Sequence, residues 1–251
     1  MYTYDSRIAY SETDADGFLT PEALVNYFQN CSTFQTQDGP VPMEELRRRG
    51  ILWVINAWQI DIHRLPHLGE YVTVGTVPYE MKGFIGLRNF FLDTADHQER
   101  LAVANTTWSL IDIEQGRPVR VTQDICDAYP LDPQLEMENL PRKIKLPASG
   151  GEVTASFAVS VHHLDSNYHV NNGQYIRMAL DIAREQGALD GRNTSLMRIR
   201  ADYRAQARLG NEICPMVYTQ QNEEQTMVTV ALNDTEGNPY TLVELWQRGM
   251  G

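Results

Sequence analysis

Cysteine is scarce in this chain. Cys31, Cys126 and Cys214 are three in number, far apart and in no CxxC pair, which offers neither a disulfide framework nor a thiolate metal site and points to free thiols in a reducing compartment. Basic charge is short as well: 21 Lys and Arg stand against 33 Asp and Glu, a formal net charge of −12. That balance argues against extended nucleic acid as a partner, because phosphate binding needs a basic face. As a whole-chain number it also opposes an acidic protein partner. Long apolar runs are missing, the longest being pieces such as Ile51-Leu52-Trp53-Val54-Ile55, far below the roughly 20 residues of a membrane helix. No basic segment leads into an apolar one near the amino terminus, so neither a signal peptide nor a membrane partner is expected, and the cytoplasm is the expected compartment. The chain also lacks G-x-x-x-x-G-K-S/T, a G-x-G-x-x-G opening a helix, and a G-x-S-x-G elbow, the markers of phosphate-loop, dinucleotide and serine-hydrolase sites.

What is present is an ordinary globular composition, 42% apolar and 22% charged over 251 residues, enough for one large domain or two of about 100–130 residues. An internal comparison favours two. Asp14-Ala-Asp16-Gly-Phe18-Leu-Thr20 lies over Asp165-Ser-Asn167-Tyr-His169-Val-Asn171 at an offset of 151, and Asp61 to Gly69 lies over Asp202 to Gly210 at an offset of 141. Two divergent copies of one unit is the working organisation.

The local signals repeat in step. Residues 5–12 and 157–163 alternate weakly as strands, and each stretch runs into a turn-rich loop. Thr20-Pro21-Glu22 reads as cap, proline and acidic first turn of a helix to about Thr36, and Asn171 caps a second helix over about 172–186. Strands are expected near 52–63, 70–80, 83–94 and 99–113, then near 196–207, 212–220, 225–233 and 240–247. The proline-containing stretch 123–151 reads as a linker, with room for one short element, between domains at 1–122 and 152–251. The fold class is α+β, with one buried helix against each antiparallel sheet.

The densest polar cluster is Asp165-Ser-Asn167-Tyr-His169-Val-Asn171-Asn172, a loop at a helix N-terminus, where unpaired N–H groups favour anions and a histidine supplies a base near neutral pH. Fully extended, Asp165 and His169 would lie about 13 Å apart, so the loop must bend for them to cooperate. Spacing alone leaves a plainer reading open, in which Asp165 and Asn167 form turns, Asn171 caps and His169 sits at the surface. The first copy keeps the turn formers Asp14 and Asp16 but has Phe18 where the second has His169. Turn formation does not explain that difference.

Asp165-x-Asn167-x-His169-Val170-Asn171-Asn172-x-x-Tyr175 resembles the active-site segment of the plant and bacterial acyl-acyl carrier protein (ACP) thioesterases. Leu52-Trp53-Val54, Val72-Thr-Val74 and Thr107-Trp108-Ser109-Leu110-Ile111-Asp112 resemble strands of that family's first domain, so the likeness covers nearly the whole chain. It implies a tandem hotdog fold, a long helix wrapped by an antiparallel sheet in each repeat. It also implies hydrolysis of fatty acyl-ACP with His169 as general base, Asn167 orienting water or the carbonyl, and Asp165 supporting them. Asn171, Asn172 and Tyr175 then belong to the site, and Phe28, Trp53 and Ile55 are expected along an acyl tunnel in the first domain. Neither cofactor nor metal is implied.

One departure stands out. Gln206 and Ala207 occupy places where plant members carry an acidic residue and a cysteine. Gln206 can position a water but cannot take a proton, so either His169 alone is the base, or the site is weakened, or another carboxylate substitutes. A merely solvent-facing Gln206 is the plainer reading, and a cysteine nucleophile finds no support. His162 and His163 do not complete a metal triad with His169, since neighbours on a strand point to opposite faces. Arg47, Arg48 and Arg49 form a basic run suited to docking acidic carrier protein, as do Arg142, Lys143 and Lys145. The alternatives are an acyl-CoA thioesterase and a non-catalytic acyl-binding protein. Monomer and homodimer are equally compatible with two copies in one chain.

Overall fold

The computed structural model describes residues 1–249. The first half runs β1 (Tyr2–Arg7), α1 (Pro21–Asp38), α2 (Met43–Arg48), β2 (Ile51–Ile62), β3 (Tyr71–Lys82), β4 (Ile85–Thr94) and β5 (Arg100–Asp112). After α3 (Gln123–Ala128), the second half runs β6 (Glu152–Val153), β7 (Phe157–Ala158), α4 (Asn172–Glu185), β8 (Leu196–Tyr203), β9 (Glu212–Gln221), β10 (Gln225–Asn233) and β11 (Pro239–Arg248). The strands make one antiparallel sheet in the order β1-β3-β4-β5-β2-β8-β11-β10-β9-β6, with β7 also on β9. The two expected sheets are therefore fused edge to edge through β2 and β8.

That junction carries a local two-fold relation. Across it Ala57 faces Asp202 and Asp61 faces Arg198, and at the midpoint Gln59 faces Arg200, residues equivalent at the offset of 141 read from the sequence. Arg198 clasps Asp61 through Nε and Nη2, a bidentate pair joining the halves.

Each half wraps a helix. Thr20 Oγ1 accepts from Ala23 N–H at 3.2 Å and Asn171 Oδ1 from Gly173 N–H at 2.8 Å, caps each worth about 1 kcal/mol. The helices bury Leu24, Phe28 and Cys31 on α1 and Tyr175, Ile176, Ala179 and Ala183 on α4. They pack on each other as well as on the sheet, so a single apolar core spans both halves. A smaller core at one end, made of Leu46, Leu110, Ile125 and Tyr129 among others, seats α2 and α3.

Two expectations are corrected at the strands that precede the helices. In each copy the chain leaves the sheet early and forms a 3-10 turn, at Tyr10–Glu12 and at Val161–His163. The side chains of Glu12 and His163 cap those turns by accepting from Ala9 N–H and Ser160 N–H. His162 and His163 thus stand on a turn, not on a strand. The stretch 123–151 holds one short helix, α3. Beyond α3 it lies across the outer face of the sheet, where Leu135 N–H donates to Asn89, Leu140 N–H to Gln59, and Ile144 N–H to Asp202.

Candidate active site

The loops before α1 and α4 have the same backbone. Asp14 Oδ1 accepts from the N–H groups of Asp16 (3.1 Å) and Phe18 (2.9 Å), and Asp165 Oδ1 accepts from those of Asn167 (2.8 Å) and His169 (3.3 Å). Leu19 N–H reaches Pro66 O at 2.9 Å, and Val170 N–H reaches Ala207 O at 3.0 Å. The left-handed position falls on Gly17 (φ 81°) in one loop and Tyr168 (φ 61°) in the other. Glycine is at ease there; a tyrosine is strained. The bend anticipated from the Asp165–His169 spacing is this carboxylate-centred turn.

His169 is half buried, and its ring nitrogens have no protein hydrogen bond among the described residues. Burial first, then the charge of Arg208, holds its pKa below the ordinary value, with Asp165 opposing. That shift favours the neutral imidazole, the form able to accept a proton. Asn167 is exposed. Its Oδ1 accepts from Arg47 Nη2 at 3.2 Å, leaving the Nδ2 donors unpaired among the described residues.

Asn167 also lines a groove of the first half, a space of about 820 Å³ open to solvent. One wall is apolar, with Trp53, Leu52, Met81 and Leu87, and the other comes from α1 through Ser32, Thr33 and Thr36. Arg88 lines it too, its guanidinium near the rings of Tyr129 and Trp108 and its pKa lowered by burial to about 10. The second half's loop thus meets the first half's groove at Asn167.

Not every expected site residue is brought there. Phe28 is wholly buried and packs on Trp58 and Phe90 in the core. Ile55 packs against that core and is not among the groove residues, whereas Trp53 is. Asn171 is engaged as the helix cap. Asn172 Nδ2 donates to Gln29 Oε1 on α1 at 2.8 Å, tying the two helices together. Tyr175 is buried, its hydroxyl accepting from Ala207 N–H at 2.9 Å, and burial lifts its pKa to about 12. Gln206 is exposed on the connection after β8, which ends at Tyr203 and not near 207. The strand stops early because the backbone of Ala207 is bonded to Val170 and Tyr175 instead of to a strand.

Arg48 and Arg49 are paired with Glu45, and Arg49 also with Asp124. Arg142 lies 3.6 Å from Asp202, and Lys143 and Lys145 are exposed. Among the described residues no three His, Cys, Asp or Glu side chains converge as metal ligands would. Cys31 is buried and its thiol pushed up to about 12 by that burial. Residues missed from the sequence are Met81 on β3, Arg88 on β4 and the hydroxyl wall of α1; only the last had a signal, in Ser32, Thr33 and Thr36 as polar residues on a helix expected to be buried.

Two helices, each cradled by one half of a fused antiparallel sheet, define a tandem hotdog protein. The chain belongs to the acyl-ACP thioesterase family: the model of its N-terminal domain matches residues 1–129 and that of its C-terminal domain residues 148–247. A chloroplastic acyl-acyl-carrier-protein hydrolase of Cuphea viscosissima is 27% identical over 182 residues, 67% of this chain and 43% of that protein. The chain thus spans less than half the length of the first curated relatives it matches. A structure described as an oleoyl thioesterase from Lactobacillus plantarum superposes with a TM-score of 0.86 at 22% identity, covering 100% of this chain and 97% of that one. An acyl-ACP thioesterase from Bacteroides thetaiotaomicron gives 0.81 at 22% identity, covering 98% and 97%. These likenesses establish the fold. No helix among the described residues is long and apolar enough to cross a membrane.

Proposed function

We propose that this protein hydrolyses the thioester between a fatty acyl chain and acyl carrier protein, releasing free fatty acid and carrier. The observation that carries the reading is the meeting of Asn167, from the His169 loop, with a half-apolar groove built by the other half of the chain. In this reading the acyl tail lies in the groove beside Trp53. Neutral His169 takes a proton from water as the water oxygen attacks the carbonyl carbon, and an Asn167 Nδ2–H faces the oxygen that gains charge. Collapse of the tetrahedral intermediate breaks the carbon–sulfur bond, and the leaving thiolate takes the proton back from the imidazolium. A positioned base is worth about 10²–10⁴ in rate and one oxyanion donor about 10²–10³. The site of action in this reading is the cytoplasm, where unpaired cysteines persist as thiols.

The test is hydrolysis measured across acyl lengths on both ACP and coenzyme A, with His169→Ala as control. The reading expects faster turnover on ACP, a rate that falls with added salt, and at least about a hundredfold loss in the variant at unchanged Tm. Equal turnover by His169→Ala removes the assignment. Preference for coenzyme A moves the carrier, and binding without turnover by the wild type makes the protein an acyl-binding one.

A further inference from the structure

The three consecutive arginines at the end of α2 have separate surroundings. Arg48 donates to both oxygens of Glu45 at 2.8 Å, and Arg49 bonds Glu45 and Asp124, so their charges are answered locally. Arg47 has no carboxylate at ion-pair distance among the described residues. Its Nη2 donates instead to Asn167 Oδ1 at 3.2 Å, from one half of the chain to the loop of the other, and both side chains line the groove.

The terminal torsion of an asparagine is broad and two-fold, so an unheld amide presents its oxygen or its NH2 group with similar ease. A guanidinium has donors only, and binds just one of those two ends. From this geometry we propose that Arg47 is a positioning residue: it holds Asn167 by Oδ1, so that Nδ2 and its two hydrogens face the substrate's carbonyl oxygen. The flipped amide would aim a lone pair at that oxygen as it gains charge. The cation also polarises the amide, which makes the N–H a stronger donor.

The opposite loop shows the same device in another form. Asn193, between α4 and β8, donates Nδ2 to Asp14 Oδ2 at 2.7 Å. Each half's segment between helix and strand thus clamps the other half's loop, and only the clamp on Asn167 is a cation. This inference rests on the hydrolase reading, and it gives Arg47 a task distinct from docking the carrier.

The experiment is a double-mutant cycle of Arg47→Gln and Asn167→Ala, with Arg47→Lys as the conservative variant, read as kcat and KM on acyl-ACP. Arg47→Gln is expected to lower kcat by about 10- to 100-fold with KM little changed. Arg47→Lys should recover part of the loss, and Arg47→Gln should cost almost nothing once Asn167 is alanine. A rise in KM at unchanged kcat, or an undiminished effect on Asn167→Ala, overturns the proposal. The second readout needs no turnover: the side-chain NH2 cross-peaks of Asn167 in ¹⁵N-labelled protein, assigned by their loss in Asn167→Ala. They are expected to shift in Arg47→Gln, and unmoved peaks overturn the proposal. Wild-type protein inert on every thioester defeats the hydrolase reading, while the cross-peaks still decide whether Arg47 holds the amide.

Discussion

The loops Asp14–Thr20 and Asp165–Asn171 have the same path and different chemistry. Both turn around an aspartate that accepts two backbone N–H groups, both close a backbone bond to the segment after the next strand, and both end in a helix cap. The first carries Glu12, Asp14, Asp16 and Phe18; the second carries His163, Asp165, Asn167 and His169 at the equivalent places. The first loop thus has three carboxylates where the second has one, and on the proposed mechanism it would oppose the negative charge that the second favours. The shared aspartate holds both turns, and the proposed chemistry rests on the two residues that differ beyond it.

Exchanging those residues is the strongest way to break the comparison. His169→Phe, which gives the second loop the first loop's residue, should cost about 10²–10⁴ in turnover with the far-ultraviolet circular dichroism unchanged. Asn167→Asp should lower kcat by about 10²–10³, since it removes the donor. Its added carboxylate favours the imidazolium, so the acidic limb of the kcat/KM profile should move to higher pH. Arg208→Gln moves that limb the same way with a smaller loss at pH 7. On the proposed mechanism activity needs the neutral ring and falls as pH drops through its pKa, and Arg208 helps to hold that pKa below the ordinary value. The scaffold should respond symmetrically: Thr20→Ala and Asn171→Ala each remove a cap worth about 1 kcal/mol, seen as a fall of about 2–4 °C in Tm for a chain of this size. The smallest effect is expected from Phe18→His placed in the His169→Phe background, where no turnover should return. Restored activity there would show that the two loops are interchangeable.

Much of this was legible in the sequence because it is local. Thr20-Pro21-Glu22 and Asn171 announce helix starts through their own side chains, and the offsets of 151 and 141 reappear as matched backbone bonds: Ile8 N–H to Glu70 O, and Val159 N–H to Asn211 O. What was hidden depends on packing between distant segments. Phe28 and Trp53 are both large apolar residues, and only the seating of α2 and α3 decides that one is core and the other wall. Gln206 reads as a strand residue until Ala207 is seen to give its backbone bonds to another loop. The run Arg47-Arg48-Arg49 looks uniform as text, yet Glu45 and Asp124 divide it.

The pair on the local two-fold axis shows what a single chain permits. Gln59 faces Arg200 across the junction, and both are buried. Gln59 binds the backbone of Glu138 and Leu140, and Arg200 binds Glu244 and the carbonyl of Pro141. In an assembly of two identical subunits, a residue on the axis meets its own copy, so the choice there would be two arginines repelling each other or two glutamines. Covalent fusion lifts that constraint. The same freedom lets one loop carry Phe18 where the other carries His169, so on the proposed mechanism this architecture holds one reaction centre per pair of folds where a symmetric dimer would carry two or none.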